Sequence, residues 1–420
     1  MQYWSNCGGI RHPDATGRAP MSTIELFRTP PRHAPQNVEI LGPLRSGRAT
    51  SRAALAKATG LSPSTVASRV EDLIAQGHIV EVGHGESRGG RRPRHLEIRG
   101  DAGLVGCIDL GVDRATFGLI DFAGNLVGER HLDLDIAAGP HEVLSFAVAQ
   151  LVDMVEQSDV PSHTRLRGIS VGVPGPVSST TSRIVAPSRM PGWNGVSVAE
   201  VVQRNIQLPV VVNNDANLMA AGELLDADEA AAFANQVFVK VGSGIGCGIV
   251  SGGELYTGSN GWAGDISHVS VPGAAAVPCS CGRTGCLDAL ASGNALVREM
   301  QLAGHDVHTV EAMIALARDS HPLATRLLRN AGVMTGGVLA TIVNFFNPDR
   351  LVLGGVLADS AVFVAGVRST LYADCLPMAT EQLTVEVTRH QGTGGLRGAA
   401  RMFLDRVFST EGLSPLTPTP

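Results

Sequence analysis

Residues 268–288 read HVSVPGAAAVPCSCGRTGCLD, and this stretch decides how the chain is organised. It contains four side chains of the types that bind zinc most readily, namely His268, Cys279, Cys281 and Cys286. Three thiolates and one imidazole complete a closed tetrahedral site, which is structural rather than catalytic. Gly282 and Gly285 let the backbone turn tightly enough to bring the sulfur atoms together. Cysteines can also be buried free thiols, but this clustering favours zinc.

Carboxylates flank the stretch on both sides. Asp265 precedes His268 by three residues, and Asp288 follows Cys286 by two. A complete site of three cysteines and one histidine needs neither carboxylate. The sequence therefore predicts a second polar site beside the metal.

The composition indicates a globular protein with two or three domains. Of the 420 residues 44% are hydrophobic, and no apolar run is long enough for a membrane span or a signal peptide. Residues 1–100 carry 14 Lys and Arg against 8 Asp and Glu, whereas the remaining residues carry 19 against 31. A basic front favours a polyanionic partner, and an acidic body favours a small molecule or self-association. Seven cysteines, three of them clustered, suit the reducing cytoplasm.

The first hundred residues predict a DNA-binding domain behind an irregular leader. Residues 1–35 lack periodicity and predict a disordered leader, in which Met21 is an alternative start. Residues 36–100 predict a winged helix-turn-helix domain. Its helices are expected from Gln36 to about Gly47, from Ser51 to Thr59, and from the N-cap Ser62 onward.

The third helix has an apolar stripe and a polar face. Val66, Val70 and Leu73 recur with helical spacing and are expected to point inward. The other face carries short hydroxyls and one cation, which suit the major groove of DNA. These candidate DNA contacts are Ser64, Thr65, Ser68 and Arg69.

A basic hairpin follows the third helix. Its strands are expected at His78–Val82 and His95–Ile98. The loop between them is rich in arginine, so it can reach phosphates or a minor groove. Its candidate DNA contacts are Arg91, Arg92 and Arg94. Such residues also occur on ordinary solvated surfaces, but the helices and the hairpin together favour DNA binding.

Residues 101–410 predict a body of two α/β lobes that divide near residue 205. The first lobe is expected to have a helix at His141–Gln157 and strands at Leu104–Leu110, Thr116–Asp121, Leu126–Leu134 and Leu166–Val173. The second is expected to have strands at Val237–Val241, Gly246–Val250, Glu254–Tyr256 and Leu351–Leu353. The two lobes therefore read as βββαβα-like halves with a cleft between them. A C-terminal helix is expected to return to the first lobe, and residues 411–420 form a tail.

Glycine-rich turns follow three of these strands, at residues 109–111, 172–176 and 242–248. Backbone N–H groups in such turns can approach phosphate oxygens because no Cβ intervenes. If a nucleotide is bound, the candidate phosphate contacts are Gly111, Gly242, Ser243, Gly244 and Gly246.

Asn214 and Asp215 lie between the glycine turns, after a buried strand. In this position Asp215 can deprotonate a sugar hydroxyl while Asn214 binds a neighbouring one. The same residues can instead cap the helix that begins there. The residues themselves leave both interpretations open.

Several motifs over residues 36–410 together resemble the ROK family of repressors, open reading frames and kinases. They are Gly172-Val-Pro-Gly-Pro176, Asn214-Asp-Ala-Asn217, Gly242-Ser-Gly-Ile-Gly246, Gly264-Asp-Ile-Ser-His268, Cys279-Ser-Cys-Gly-Arg-Thr-Gly-Cys286 and Asn347-Pro-Asp-Arg-Leu-Val-Leu-Gly-Gly355. The resemblance implies an actin-like ATPase, or ribonuclease H-like, α/β fold of two lobes with a zinc site. It also implies sugar contacts by Asn214, Asp215, Asp265, His268 and Asp288.

The first glycine turn departs from the pattern of the family's kinases. They carry Gly-Gly-Thr after the Asp of the first strand, whereas residues 109–114 read DLGVDR here. Val112 and Asp113 therefore disfavour a triphosphate, unless the next arginine or a magnesium ion compensates. The kinases also commonly have Glu at the positions of Asp265 and Asp288, so these carboxylates are shorter by one methylene.

These features predict a sugar-responsive transcription regulator of carbohydrate genes, acting as a repressor. We expect it to bind operator DNA in the cytoplasm as a homodimer or homotetramer, with a sugar in the cleft between the lobes. The alternative is an active sugar kinase that uses ATP and Mg²⁺, with Asp215 as catalytic base and an appended DNA-binding domain. A third possibility is a regulator without any sugar response. The altered turn at Val112 and Asp113 favours a regulator over an enzyme.

Overall fold

The computed structural model describes residues 35–45, 47, 49–84, 94–161, 164–224, 233–273 and 277–408. The leader predicted over residues 1–35 lies outside these ranges except for its last residue. The tail predicted over residues 411–420 also lies outside them.

Three helices and a hairpin form the N-terminal domain: α1 (Pro35–Arg45), α2 (Arg52–Thr59), α3 (Pro63–Ala75), β1 (Ile79–His84) and β2 (Arg94–Ile98). Both predicted N-caps are confirmed. Ser51 accepts a hydrogen bond from the Ala54 N–H at 3.3 Å, and Ser62 accepts one from the Thr65 N–H at 3.1 Å. The chain turns between α2 and α3 at Gly60, whose φ of 71° suits glycine. β1 and β2 pair antiparallel, as expected of a wing.

The predicted apolar stripe of α3 is buried. Val66, Val70 and Leu73 are each 0% exposed, and they pack with Ile40 and Leu41 of α1. These residues belong to the same apolar cluster as residues of the following sheet, so the N-terminal domain is seated on the body through a shared core.

The first sheet contains β3 (Leu104–Leu110), β4 (Arg114–Asp121), β5 (Leu126–Asp133), β6 (Leu166–Val173) and β7 (Val210–Asn214). Their order is β5-β4-β3-β6-β7, with β3, β4 and β5 antiparallel and β3, β6 and β7 parallel. The helices of this lobe are α4 (Pro140–Gln157) and α5 (Val198–Asn205). Because β7 pairs with β6, the first sheet continues beyond residue 205, where we expected the lobes to divide.

The second sheet contains β8 (Gln236–Val241), β9 (Ile245–Ser251), β10 (Glu254–Tyr256), β11 (Arg350–Gly354) and β12 (Thr384–Val387). Its order, β10-β9-β8-β11-β12, repeats the order and the strand directions of the first sheet. The internal repeat predicted from the pattern of strands is therefore confirmed.

The remaining helices are α6 (Asp215–Gly222), α7 (Leu287–Ala291), α8 (Gly293–Leu302), α9 (Val310–Arg318), α10 (Pro322–Phe346), α11 (Ala361–Asp374), α12 (Pro377–Thr380) and α13 (Gly394–Val407). Short 3₁₀ helices lie at Gly100–Ala102, Ile136–Ala138 and Val356–Asp359. None of the helices within the described residues is long and apolar enough to cross a bilayer. The cytoplasmic location stays a prediction.

The last helix, α13, leaves the second lobe and packs on β3 and β6 of the first sheet and on α6. Glycines allow the close contact with α6, because a Cβ on Gly398 would lie 1.7 Å from the Leu218 carbonyl oxygen. Near its C-terminal end, Asp405 forms an ion pair with Arg45 of α1. α13 therefore contacts the first sheet, α6 and the N-terminal domain.

Candidate functional site

A cavity of about 640 Å³ is lined by residues of both lobes. Its wall includes all five predicted sugar contacts: Asn214, Asp215, Asp265, His268 and Asp288. These residues come from three separate stretches of the chain, so the fold is what brings them together. Their convergence is a structural finding, whereas sugar binding by them stays a prediction.

Asn214 and Asp215 stand where β7 ends and α6 begins. The Asn214 Oδ1 accepts the Ala216 N–H at 3.0 Å, and its Nδ2 donates to the Gly175 carbonyl at 3.2 Å. Asn214 is therefore the N-cap, as one of the two interpretations had it. Asp215 is only 5% exposed, and its Oδ1 accepts the Ala216 N–H at 2.7 Å while its Oδ2 accepts a hydrogen bond from the Lys240 ammonium. Asp215 thus lines the cavity with its carboxylate already paired with the Lys240 ammonium.

Lys240 lies between two carboxylates, those of Asp215 and Asp109. Burial disfavours the charge of Lys240, but Asp215 and Asp109 outweigh burial and raise its pKa. Burial raises the pKa of Asp109 to about 7; Lys240 opposes this rise and Asp215 adds to it. The ammonium is therefore the counter-ion of a pair of carboxylates at the end of β3 and the start of α6.

Asp288 is also 5% exposed and also paired. Its Oδ1 accepts the Ile245 N–H at 3.0 Å, and its Oδ2 forms an ion pair with Arg189. Arg189 comes from the segment between β6 and α5, and its Nη1 donates to the Ser243 carbonyl at 2.8 Å. One guanidinium from the first lobe thus binds a carboxylate and a backbone carbonyl of the second lobe.

Asp265 differs from the two buried carboxylates because it is exposed. Its Oδ1 accepts a hydrogen bond from the Ser267 hydroxyl. It follows Gly264, whose φ of 93° and tight contact with the Cys247 carbonyl fix the turn. His268, the next predicted sugar contact, is half-buried and joins this turn to the cysteine cluster.

The ligand atoms of His268, Cys279, Cys281 and Cys286 all lie within 4.8 Å of one another. The Cys279 Sγ lies 3.5 Å from the His268 Nδ1, and the Cys281 Sγ lies 3.7 Å from the Cys286 Sγ. A tetrahedral zinc ion, with bonds of about 2.3 Å to sulfur and about 2.0 Å to nitrogen, holds two sulfurs about 3.8 Å apart and a sulfur and a nitrogen about 3.5 Å apart. The cluster is therefore compatible with a structural zinc site.

The backbone around the cluster is built for such ligands. Gly282 and Gly285 have φ values of 86° and 70°, so the predicted need for glycine is confirmed. A hydrogen bond from the Arg283 backbone lowers the pKa of Cys281 to about 7, whereas burial raises the pKa of Cys286 to about 12. A bound cation offsets the cost of holding a buried thiolate.

Two sequence profiles match the chain, one of the ROK family over residues 105–406 and one of winged helix-turn-helix DNA-binding domains over residues 44–80. The chain belongs to the ROK family. The xylose repressor of Bacillus subtilis strain 168 is 31% identical over 312 residues, which cover 74% of this chain and 79% of that protein. The DNA-binding transcriptional dual regulator NagC of Escherichia coli strain K12 is 26% identical over 379 residues, which cover 85% and 90%.

A crystal structure of a ROK family transcriptional regulator, described as a homologue of the E. coli MLC protein, has the same fold. It superposes with a TM-score of 0.73 and 23% identity, over 90% of this chain and 97% of that one. The superposition includes the N-terminal domain as well as both ROK lobes. At this identity the likeness shows the fold alone.

The glycine turns of the ROK body contribute unequally to the cavity. Ser243, Gly244 and Gly246 line it, whereas Gly111 and Gly242 are absent from its described lining. The Gly111 N–H donates to the Arg114 carbonyl at 2.8 Å, and the Gly242 N–H donates to the Gly244 carbonyl at 2.9 Å. These two N–H groups are thus used within their own turns.

The candidate DNA contacts of α3 divide into two groups. Ser64 and Ser68 are exposed, and Thr65 is half-buried. Arg69 forms an ion pair with Glu39 of α1 at 2.5 Å, and its side chain is only 19% exposed. The hydroxyl residues remain candidates for a groove. Arg69 also links α3 to α1, and its contact with DNA stays a prediction.

The three candidate DNA contacts of the wing are Arg91, Arg92 and Arg94. Arg91 and Arg92 fall in residues 85–93, outside the described residues. The side chain of Arg94 is 59% exposed and pairs with Glu81, which also binds Arg52 of α2. Two arginine hydrogen bonds lower the pKa of Glu81, that of Arg94 being the stronger. Glu81 thus links the wing to α2 through Arg52, while Arg94 pairs with Glu81 within the hairpin.

Three charged residues of this ROK site escaped the sequence reasoning: Asp109, Arg189 and Lys240. Lys240 interrupts the apolar strand β8, which reads QVFVKV, and a charge in a buried strand is a usable signal. Asp109 begins the first glycine turn, and its sequence context indicates only that turn. Nothing local marked Arg189, since its partner Asp288 is 99 residues away.

Proposed function

We propose that this ROK protein is a sugar-responsive, DNA-binding transcription regulator whose effector binds in the cavity between the lobes. The observation that carries the proposal is the convergence of five predicted sugar contacts on one cavity, in a chain that also has a winged helix-turn-helix domain. Carboxylates and amides in a cleft are the groups that bind sugar hydroxyls. The name of the xylose repressor supports a sugar effector and repression, and the name of NagC supports transcription regulation by DNA binding.

The zinc ion that we propose for the cysteine cluster has a positioning role. His268 supplies both a ligand atom to the cluster and a part of the cavity wall. With its Nδ1 on the metal, the imidazole is fixed in one orientation, and its other nitrogen remains available to a sugar hydroxyl. The ion itself supplies structural stability to the segment that carries Asp265 and Asp288.

The charges around the cavity favour a sensor over a kinase. A catalytic base must be free to accept the proton of the sugar hydroxyl, but Asp215 is held by Lys240. In the third glycine turn the Gly242 N–H is occupied as well, because it donates to the Gly244 carbonyl at 2.9 Å. Arg114, which we considered as a partner for a triphosphate, pairs instead with Glu311 at 3.2 Å. These contacts support sugar binding without phosphoryl transfer.

We propose that α13 transmits sugar binding to the DNA-binding domain. A Cβ on Gly395 would lie 2.1 Å from the Asp109 Oδ2, so the start of α13 touches the carboxylate beside Lys240. The helix is about 21 Å long at 1.5 Å per residue. At its far end Asp405 binds Arg45 of α1. A sugar shifts the two-state balance only as far as it binds one arrangement of these helices better than the other.

On DNA, we propose that Ser64, Thr65 and Ser68 of α3 meet the major groove while the wing approaches the backbone. Arg91 and Arg92 are proposed phosphate contacts. A homodimer or homotetramer would place two α3 helices on half-sites about one helical turn apart, and repression follows when sugar is absent.

Two measurements on the purified protein test this function. The first records thermal stability and DNA binding with a panel of pentoses, hexoses and amino sugars, using operators selected from a random duplex pool. We expect at least one sugar to raise the melting temperature and weaken DNA binding, and Asp215→Ala to abolish both effects. The second measures ADP release with ATP, Mg²⁺ and the same sugars. Sugar-dependent turnover that Asp215→Ala removes would refute the sensor and make the protein a kinase.

A further inference from the structure

Trp262 is an exposed aromatic residue on the wall of the cavity. Its ring is 46% exposed, although tryptophan is normally among the most buried side chains. It lies in the turn that precedes Asp265, whose N–H donates to the Trp262 carbonyl at 3.3 Å. Trp262 and Asp265 both line the cavity, and both are exposed.

The turn that carries Trp262 is held on both sides. A Cβ on Gly261 would lie 2.4 Å from the Val177 carbonyl oxygen, and one on Gly264 would lie 2.2 Å from the Cys247 carbonyl oxygen. The Ala263 N–H also donates to the Thr257 carbonyl at 3.0 Å. The backbone is thus packed against the first lobe through Gly261 and against β9 through Gly264. These contacts hold the turn in place, and its exposed indole with it.

The polar groups of the cavity fall into two tiers. Asp215 and Asp288 are each 5% exposed and are paired with Lys240 and Arg189. Asp265, by contrast, is exposed, like Trp262. A cavity of about 640 Å³ is in the range that accepts drug-sized ligands, which are larger than a single sugar ring. One ring bound at Asp215 and Asp288 therefore fills only part of the cavity.

We propose that Trp262 and Asp265 form a second sugar subsite, so that the effector is a disaccharide or a longer glycoside rather than a free monosaccharide. The inner ring binds Asp215 and Asp288, and the outer ring lies on the indole. The apolar C–H face of a pyranose covers the aromatic ring, while its hydroxyls donate to the exposed carboxylate of Asp265. This inference rests on the proposed sugar-binding function and specifies its ligand class.

The test compares dissociation constants for three pairs of probes: glucose with cellobiose, xylose with xylobiose, and N-acetylglucosamine with chitobiose. Titration calorimetry is run on the full-length protein and on Trp262→Ala, Trp262→Phe, Asp215→Asn and Tyr372→Ala. We expect one disaccharide to bind about tenfold more tightly than its monosaccharide, and Trp262→Ala to remove that ratio. Trp262→Phe should keep most of the ratio, because it keeps an aromatic ring. Tyr372 is 59% exposed and outside the cavity lining, so Tyr372→Ala should match the wild type.

Fluorescence gives a second readout. The chain has three tryptophans, of which Trp193 is fully buried, so in a Trp4→Phe background a sugar that covers Trp262 should change the emission spectrum. A disaccharide that binds without such a change, or a ratio unaffected by Trp262→Ala, overturns the subsite. If the subsite is overturned in this way but Asp215→Asn abolishes monosaccharide binding, the proposed sugar-binding function still stands. Absence of binding by all six probes overturns the subsite and the proposed function together.

Discussion

Replacing Asp109 with asparagine tests whether burial of the ionised carboxylate at the end of β3 destabilises the folded protein. Burial raises its pKa from the ordinary value of 3.8 to about 7. Between these two values the folded chain keeps a proton that the unfolded chain has lost, so the free energy of unfolding falls as pH rises. The slope is about 1.4 kcal/mol per pH unit, and the full loss is about 4 kcal/mol above pH 7.

The full loss is an upper limit, because the Asp109 side chain is partly exposed and lies near Lys240. We expect about half of it, so Asp109→Asn should be about 2 kcal/mol more stable than the wild type at pH 8. At pH 4 the two proteins should differ little, because the carboxyl is then mostly protonated in the folded state and close to half protonated in the unfolded state.

Urea denaturation at pH values from 4 to 9 measures this difference directly. The stability gained by Asp109→Asn should grow between pH 4 and pH 7 and stay constant above it. Asp113→Asn, which makes the same change at an exposed carboxylate nearby, is the control for replacing a carboxyl group with an amide. If Asp109→Asn instead became less stable relative to the wild type as pH rises, the reasoning would be refuted, since it would mean that Lys240 stabilises ionised Asp109 by more than burial costs.

Three further predictions concern other parts of the chain. Gly398→Ala should lower the free energy of unfolding by about 2 to 4 kcal/mol, because its Cβ would collide with the Leu218 carbonyl. The control Gly337→Ala should raise the free energy of unfolding by up to about 1 kcal/mol, because a Cβ at Gly337 has nothing within 4 Å. Urea denaturation compares the two variants. Cys281→Ser should lose bound zinc, measured by metal analysis, and weaken the response to sugar. Cys375→Ser, the same change outside the cluster and outside the cavity lining, should keep both. A full sugar response without zinc would contradict the coupling through His268. Asp405→Ala removes the ion pair with Arg45 and should cost at most about 1 kcal/mol of stability, yet it should reduce the effect of sugar on DNA binding in a mobility-shift assay; unchanged coupling would exclude this contact from the route.

Local signals explain what the sequence predicted well. Ser62 caps α3 and Pro63 takes its first position because both preferences act within one turn of helix. Short runs of mainly apolar residues likewise predicted β3 and β6 with the bounds that the structure has. The repeated order of strands followed from these elements, since each lobe contains the same sequence of local patterns.

Pairings across long separations were beyond sequence reasoning. The partner of Arg189 depends on how the segment before α5 lies against the second lobe, which no local pattern encodes. Lys240 was visible as a charge in an apolar strand, but its contact with Asp215 depends on how α6 lies against the second sheet. The ion pair of Arg69 with Glu39 of another helix is likewise not encoded by any local pattern. β12 escaped prediction because it has four residues and is an edge strand.

The return of α13 to the first lobe has a consequence for synthesis. A ribosome makes the N-terminal domain and the first sheet early, but residues 394–407, which complete their shared apolar cluster, emerge only after every element of the second lobe. Nascent chains that stop within the second lobe therefore lack the helix on which the DNA-binding domain is seated. Such fragments should be recognised and degraded as unfolded protein. The apolar cluster that joins the N-terminal domain to the first sheet is therefore complete only after both lobes have been made.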